Sequence, residues 1–426
     1  MGLNMNKGVT LLKELNESVA SLIQEVNLTY DDLKRDISFF IHILDKIPDY
    51  REQYRVSYSL TNLIMISLIL IMMNEFKSFH YAADCIHVYK NEFEEMGLIK
   101  NGQIPSHDTL RRMFMLLDAQ KLKESIIDNL NNFLTTIVNN YSSSRKVELI
   151  SIDGKEFRGS GRSVNTTTPI RNKNVLNVYN VSKEICIYSN PLDDKDSEIK
   201  EAQGILNKYN LKKTVVTGDA LHCQKSTCQV IINKGGNYVF TVKENQTSLL
   251  EEIKSKIESS NNIDMITYND CTYKILTLPP SYIGLEFPGQ KSYVMMTSHK
   301  RKKQSLNKIN ERFFITSLKD NPLIVEAIDN RWKIENDLHK FKDDYFEEDS
   351  YTFTDKNAIK VMATLNNIAY SFFRITVSFL NEKRPNITKI KFKKNPIEVL
   401  EKITPLLNSR DFSKQLKEHL KGIRSK

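Results

Sequence analysis

Residues 147–242 constrain the fold more than any other part of the chain. Short apolar runs alternate there with amphipathic ones, and two of the runs stop at an aspartate. Val147-Glu148-Leu149-Ile150-Ser151-Ile152-Asp153 reads as a strand ending in an acid, with Gly154 next. After a polar, Gly- and Thr-rich loop (Gly159–Asn174) come strands around Leu176–Val181 and Glu184–Ser189, so the three in series predict an antiparallel meander. A helix over Ser197–Tyr209, a strand Thr214–Thr217 running into Gly218-Asp219, a helix Cys223–Lys234 and a strand Tyr238–Val242 complete an alternating α/β pattern.

A meander followed by alternating helices is the order of a ribonuclease-H-like sheet, in which the first and fourth strands lie side by side. Asp153 and Asp219 are then neighbours at strand ends, where α/β sheets gather their sites. Adjacent carboxylates repel unless a cation lies between them, and a hard divalent ion suits oxygen ligands. A third acid is available in Arg331–Lys342, a stretch without Gly or Pro that follows Asn321-Pro322 and predicts a helix running into Asp343–Asp349. At about 100° per residue, Arg331, Glu335, Leu338 and Lys342 share a narrow arc beside an apolar stripe of Ile334, Leu338, Phe341 and Tyr345. Spacing alone describes a surface helix with i,i+4 ion pairs. If that helix returns across the sheet edge, Glu335 joins the two aspartates. Three carboxylates can hold two Mg²⁺ ions about 4 Å apart for in-line phosphoryl transfer on a phosphodiester. Arg331 and Lys342 would then be phosphate contacts.

The rest of the chain supplies context. Its 426 residues call for two or three domains. A helical extension spans 1–45, and a helical domain spans 46–141, with helices near 59–73 and 78–96 and after Pro105. Within it, Thr109–Phe114 carries Arg111 and Arg112 on one side and either touches DNA or serves packing. The linker-like Tyr141–Ser144 leads into an α/β domain over 145–375, with a segment at about 244–318 read as an insertion, and 376–426 is a basic tail. A net charge of +9 favours a polyanionic partner, nucleic acid above all, although frequent Lys, Asn and Ile dilute that signal. The run His299-Lys300-Arg301-Lys302-Lys303 is the densest basic cluster. Five scattered cysteines support neither a disulfide framework nor a zinc site. Leu60–Met73 is too short to span a bilayer, and no signal segment opens the chain, so the expectation is an intracellular protein without a membrane partner.

Three blocks resemble the DDE-type insertion-sequence transposases of the H-repeat-associated branch. Ser151–Ser160 is similar to the family's DGK-x-x-RGS block, and Val216–Lys225 with Gly235–Tyr238 and Lys243–Gln246 to its second block. Arg331–Lys342, continuing through Asp344, Phe346, Glu348 and Asp349, is similar to its third. Upstream, Ile104–Arg112 is similar to the region that accompanies such transposases, so the resemblance covers about 45–375. It implies a ribonuclease-H-like catalytic domain with Asp153, Asp219 and Glu335 as catalytic and metal-binding acids. It further implies Mg²⁺, with Mn²⁺ as a substitute, and DNA as partner, both the terminal inverted repeats and the target. Lys155, Arg158, Lys243, Lys300, Arg301, Lys302, Lys303, Arg331 and Lys342 are the residues expected on DNA. A DNA-bound homodimer or larger assembly in the bacterial nucleoid follows from the same resemblance.

Departures from the pattern spare the acids. Ile328 stands where the wider clan has Tyr, Arg331-Trp332 replaces His-Trp, and Lys340 replaces a second Trp. Tyr268–Ile275 lacks the basic, His-containing motif expected there. The competing readings are a non-catalytic DNA-binding regulator descended from a transposase, and a ribonuclease-H-like nuclease without joining activity.

Overall fold

Apolar β-branched runs and Gly/Asn turns supply strands between residues 148 and 316, while the elements described before them are helical. The computed structural model describes residues 44, 47–49, 51, 56–95, 97–122, 147–157, 173–182, 184–192, 196–280, 287–299, 310–351 and 355–379. The predicted helical extension over 1–45, the end of the predicted helical domain beyond residue 122, Arg158, the run Lys300–Lys303 and the basic tail lie wholly or mostly outside them. In chain order the helices are α1 (Leu60–Met72), α2 (Phe79–Val88), α3 (Lys90–Glu95) and α4 (His107–Leu116), then α5 (Asp196–Lys208), α6 (Lys225–Asn233), α7 (Thr247–Ser259) and α8 (Asn321–Asn330). A π-helix (Ile334–His339), α9 (Lys340–Asp344) and α10 (Lys356–Phe379) follow. The strands are β1 (Glu148–Phe157), β2 (Lys173–Asn180), β3 (Ile185–Leu192), β4 (Thr214–Gly218), β5 (Asn237–Val242), β6 (Asp264–Tyr268), β7 (Cys271–Thr277), β8 (Ser292–Ser298) and β9 (Asn310–Thr316).

Two compact units share the chain. One comprises residues 1–144, 158–172 and 342–426. Its α1 starts at Ser59, whose Oγ accepts from the Asn62 N–H at 3.0 Å, and is buried on all faces, as a helix apolar all round must be. Asn357 of α10 donates to the carbonyls of Phe114, Met115 and Leu117 at 3.1, 3.1 and 2.8 Å. These carbonyls lie at the end of α4, where a helix leaves its last acceptors unpaired. Tyr345 Oη donates to the Met72 carbonyl at 2.8 Å and closes the same core around α1.

The other unit, residues 145–157 and 173–341, is mixed α/β. Among the described residues nine strands make one sheet in the order β3-β2-β1-β4-β5-β9-β8-β7-β6. The expected meander holds, with β1–β2 and β2–β3 antiparallel, and β1 and β4 are parallel neighbours as the fold argument required. Every residue of β4 is buried, the mark of a strand covered on both faces. The segment read as an insertion supplies β6–β9, which extend this same sheet antiparallel from β5.

Two local expectations need correction. β1 does not end at Asp153 but runs to Phe157, because β2 continues to pair with it (Asp153 opposite Asn177, Phe157 opposite Lys173) after β4 has stopped at Gly218. The single α-helix predicted from Arg331 is also broken. Arg331 closes α8, a turn follows, and the Lys340 N–H bonds to the Glu335 carbonyl across the wider π-turn. A π-turn holds more residues than an α-turn, so the 100° arc that aligned Arg331, Glu335 and Lys342 does not persist through it.

Candidate functional site

The pairing register of three strands builds the site. Ile152 lies opposite Gly218 in the last parallel pair of β1 and β4, so Asp153 and Asp219 are the next residues on each chain where that pairing ends, Asp153 still within β1. Asp219 Oδ1 accepts from the Leu221 N–H at 2.9 Å, an Asx-type turn that fixes its carboxylate. On β1, Ser151 Oγ lies 2.7 Å from Thr217 Oγ1 and bonds to the Arg331 carbonyl at 3.4 Å. This tethers the end of α8 to the strand that carries Asp153, and Glu335 follows four residues later in the π-helix.

The three acids feel one another. Burial, then the charges of Glu335 and Asp219, push the Asp153 carboxyl up to about 7, against the opposing pull of His222 and Arg331. Burial also raises Glu335, helped by Asp219, while Arg331, Lys243 and Arg312 draw it down. Arg331 is buried at 7% exposure, and burial lowers its guanidinium pKa against the holding effect of Glu335, Asp153 and Asp219. Its Cζ sits 4.0 Å from the Trp332 ring centroid and Arg312 Cζ sits 4.5 Å away, so the indole is stacked on two guanidiniums.

Beneath the acids are side chains that sequence reasoning missed. Glu198 of α5 is buried, and both its carboxylate oxygens lie 2.5 Å from where a Cβ on Gly154 would stand. A side chain at 154 would have to push the buried Glu198 carboxylate aside. His222, wholly buried, brings Nε2 to 3.2 Å from Glu198 Oε1, an ion-pair separation, although neither ring nitrogen makes a hydrogen bond of good geometry. The pair links the β1 backbone to the loop after β4. Asn245 donates to the Ala220 carbonyl at 3.1 Å, and Gln246 donates to that of Cys223, so the same loop is held from its other side. His339, at the end of the π-helix, brings Nδ1 to 3.5 Å from Asp153 Oδ2 and Nε2 to 3.2 Å from Asn177 Nδ2. His339 stood inside the third block, but nothing in the pattern tied it to Asp153. Glu198 had no sequence signal.

Of the cations expected on DNA, Lys243 is exposed and Lys155 is half-buried. Lys342 is 1% exposed and belongs to the helical unit. Arg312, unremarked in the sequence, is the additional cation close enough to act on Glu335.

Among the described residues, no group of three His, Cys, Asp or Glu is drawn together closely enough to hold a metal ion. The donor chemistry nonetheless fits a hard divalent cation, since Asp153, raised first by burial, is raised further by the charges of two other carboxylates. A doubly charged ion among them would reverse that repulsion. No helix among the described residues is long and apolar enough to cross a membrane.

Comparison with known proteins gives the family. The family model described as "Transposase DDE domain" matches residues 146–372, more than half of the chain, and the one described as "DDE_Tnp_1-associated" matches 41–129. Curated relatives from Escherichia coli K12 include YbfL, 25% identical over 343 residues (76% of this chain, 87% of YbfL). The "H repeat-associated putative transposase YhhI" matches at the same identity and coverage, and the YbfD protein of the same group is 28% identical over 210 residues (49% of this chain, 78% of YbfD). A solved structure, the piggyBac transposase synaptic complex with hairpin DNA, aligns with 92% of this chain and 83% of its own at 12% identity and a TM-score of 0.43. The chain belongs to the DDE transposase family, in its H-repeat-associated branch, and its function is that of a DNA transposase.

Proposed function

We propose that this transposase cuts and rejoins DNA at the ends of its own insertion sequence, using Asp153, Asp219 and Glu335 to hold one or two divalent cations, Mg²⁺ first among them. The observation that carries the reading is the register that ends the β1–β4 pairing at Ile152 and Gly218 and so sets Asp153 beside Asp219, with the Asp153 carboxyl raised first by burial and then by Glu335 and Asp219. The strand order β3-β2-β1-β4-β5 supports assigning the unit to the ribonuclease-H-like class. When bound, the cations would activate a water or 3′-hydroxyl and stabilise the leaving oxygen.

The chain's own residues do the rest. Arg331, buried beside the acids, offsets their charge. Exposed Lys243 and half-buried Arg312 offer cations to the phosphates flanking the scissile bond. Trp332, pinned by Arg331 and Arg312, forms a rigid wall beside Glu335. Lys155, Arg158 and the run Lys300–Lys303 are proposed to contact the DNA backbone further out, and the helical residues 46–141 to bind the terminal repeats.

A cleavage-and-joining assay on the inverted repeats flanking the gene tests the assignment. Asp153→Asn, Asp219→Asn and Glu335→Gln should each abolish Mg²⁺-dependent cleavage while leaving DNA binding within about twofold. Retained cleavage in any one of them removes that residue from the set.

A further inference from the structure

Asp153 and Asn177 are direct partners across the β1–β2 ladder, so their side chains leave the same face of the sheet side by side. His339 lies over both, with Nδ1 3.5 Å from Asp153 Oδ2 and Nε2 3.2 Å from Asn177 Nδ2. The orientation of the Asn177 amide is fixed from outside the ring. Its Nδ2 also faces the Val175 carbonyl at 3.4 Å, which can only accept, so a flipped amide would set two acceptor oxygens against each other. The amide nitrogen therefore points at the imidazole, and an amide nitrogen only donates. Nε2 must accept, which leaves the ring proton on Nδ1, directed at Asp153.

We propose that His339 is a positioning residue that holds the Asp153 carboxylate through an Nδ1–H donor, and that Asn177 sets the tautomer which makes this possible. The inference deepens the metal-site reading and rests on it. His339 contacts the acid and not the DNA. It occupies one Oδ of Asp153 and leaves the other for a cation, the way an outer hydrogen bond orients a ligating carboxylate. The π-turn is the local device. Its wider ring carries Glu335 near the start and His339 at the end, so one irregular turn delivers both an acid and the group that steadies another acid. Functional sites are a frequent setting for such turns.

Two measurements test the proposal. In protein with ¹⁵N-labelled histidine, the resonances missing from His339→Asn identify the ring, and its ¹⁵N shifts report the tautomer without metal or DNA. The Nδ1–H form should predominate and be lost in Asn177→Leu. An Nε2–H ring in the wild type overturns the proposal even if the metal site is real. The second measurement is Mn²⁺ affinity by electron paramagnetic resonance, with cleavage rate alongside. His339→Asn keeps a donor near the Nδ1 position, His339→Gln moves it to the Nε2 position, and His339→Phe fills the space without one. Affinity should fall about 10–100-fold in the Gln and Phe variants and be largely kept in Asn. If Gln and Phe, the better space-fillers, are kept and Asn is lost, His339 serves packing and the proposal fails. If Asp153→Asn leaves Mn²⁺ binding unchanged, the metal reading itself fails, an outcome separate from the ring's tautomer.

Discussion

Replacing Asp153 by Asn should stabilise the metal-free protein at alkaline pH while abolishing its chemistry. The carboxyl is raised from 3.8 to about 7, and its side chain is only 19% exposed, so solvent screens it little. A folded-state pKa above the unfolded value favours the protonated form. Stability is therefore fully present below about pH 4 and is lost as pH rises through about 7. A shift of roughly 3 units at about 1.4 kcal/mol each sets a ceiling on the order of 4 kcal/mol by pH 8. Asn carries no charge and escapes that loss. The chain has one tryptophan, Trp332, stacked between Arg312 and Arg331 in the α/β unit, so its fluorescence reports unfolding of the unit that holds the acid. Urea titrations in EDTA should show the wild-type midpoint falling between pH 5 and pH 8 and the Asp153→Asn midpoint falling less. At pH 8 the variant should be the more stable of the two. Added Mg²⁺ should restore the wild type and leave the variant unchanged. A wild-type midpoint that is flat across this range, or a variant no more stable at pH 8, would refute the claim that burial and the neighbouring carboxylates raise the Asp153 carboxyl.

Two other substitutions separate packing from DNA contact. Gly154→Ala drives a Cβ into the Glu198 carboxylate and should cost about 1–3 kcal/mol in the same urea assay, with Glu198→Ala in the same chain recovering most of it. Arg312→Ala should weaken binding to end DNA and reduce the slope of log K against log salt by about one, whereas an unchanged slope would leave Arg312 with only its stacking on Trp332.

The acids were legible because two of them terminate recognisable patterns. An apolar run that stops at Asp153 and another that stops at Gly218-Asp219 encode strand pairing, and pairing encodes proximity. Glu335 was legible only through its block, since 116 residues separate it from Asp219 and spacing cannot carry a contact that far. The inner layer was invisible for a different reason. Glu198 sits on the buried face of α5 in line with Ala202, Ile205 and Leu206, where a lone acid reads as an interruption of the apolar stripe, and Gly154 leaves room for its carboxylate. Edge strand β6 was missed because four of its five residues are exposed, so no apolar alternation marks it. The π-turn also escaped, because helical periodicity over Ile334–Phe341 is the same in sequence whether the backbone closes at i+4 or i+5.

The three acids also enter the world at different times. A ribosome releases Asp153 and Asp219 early, but β5 finds its antiparallel partner β9 only after residue 316, and Glu335 comes later still. Domains form as units during synthesis, so a nascent or prematurely terminated chain presents two aspartates with no third wall. On the proposed assignment, a chain that stops before Glu335 carries two of the three acids and should not cleave DNA.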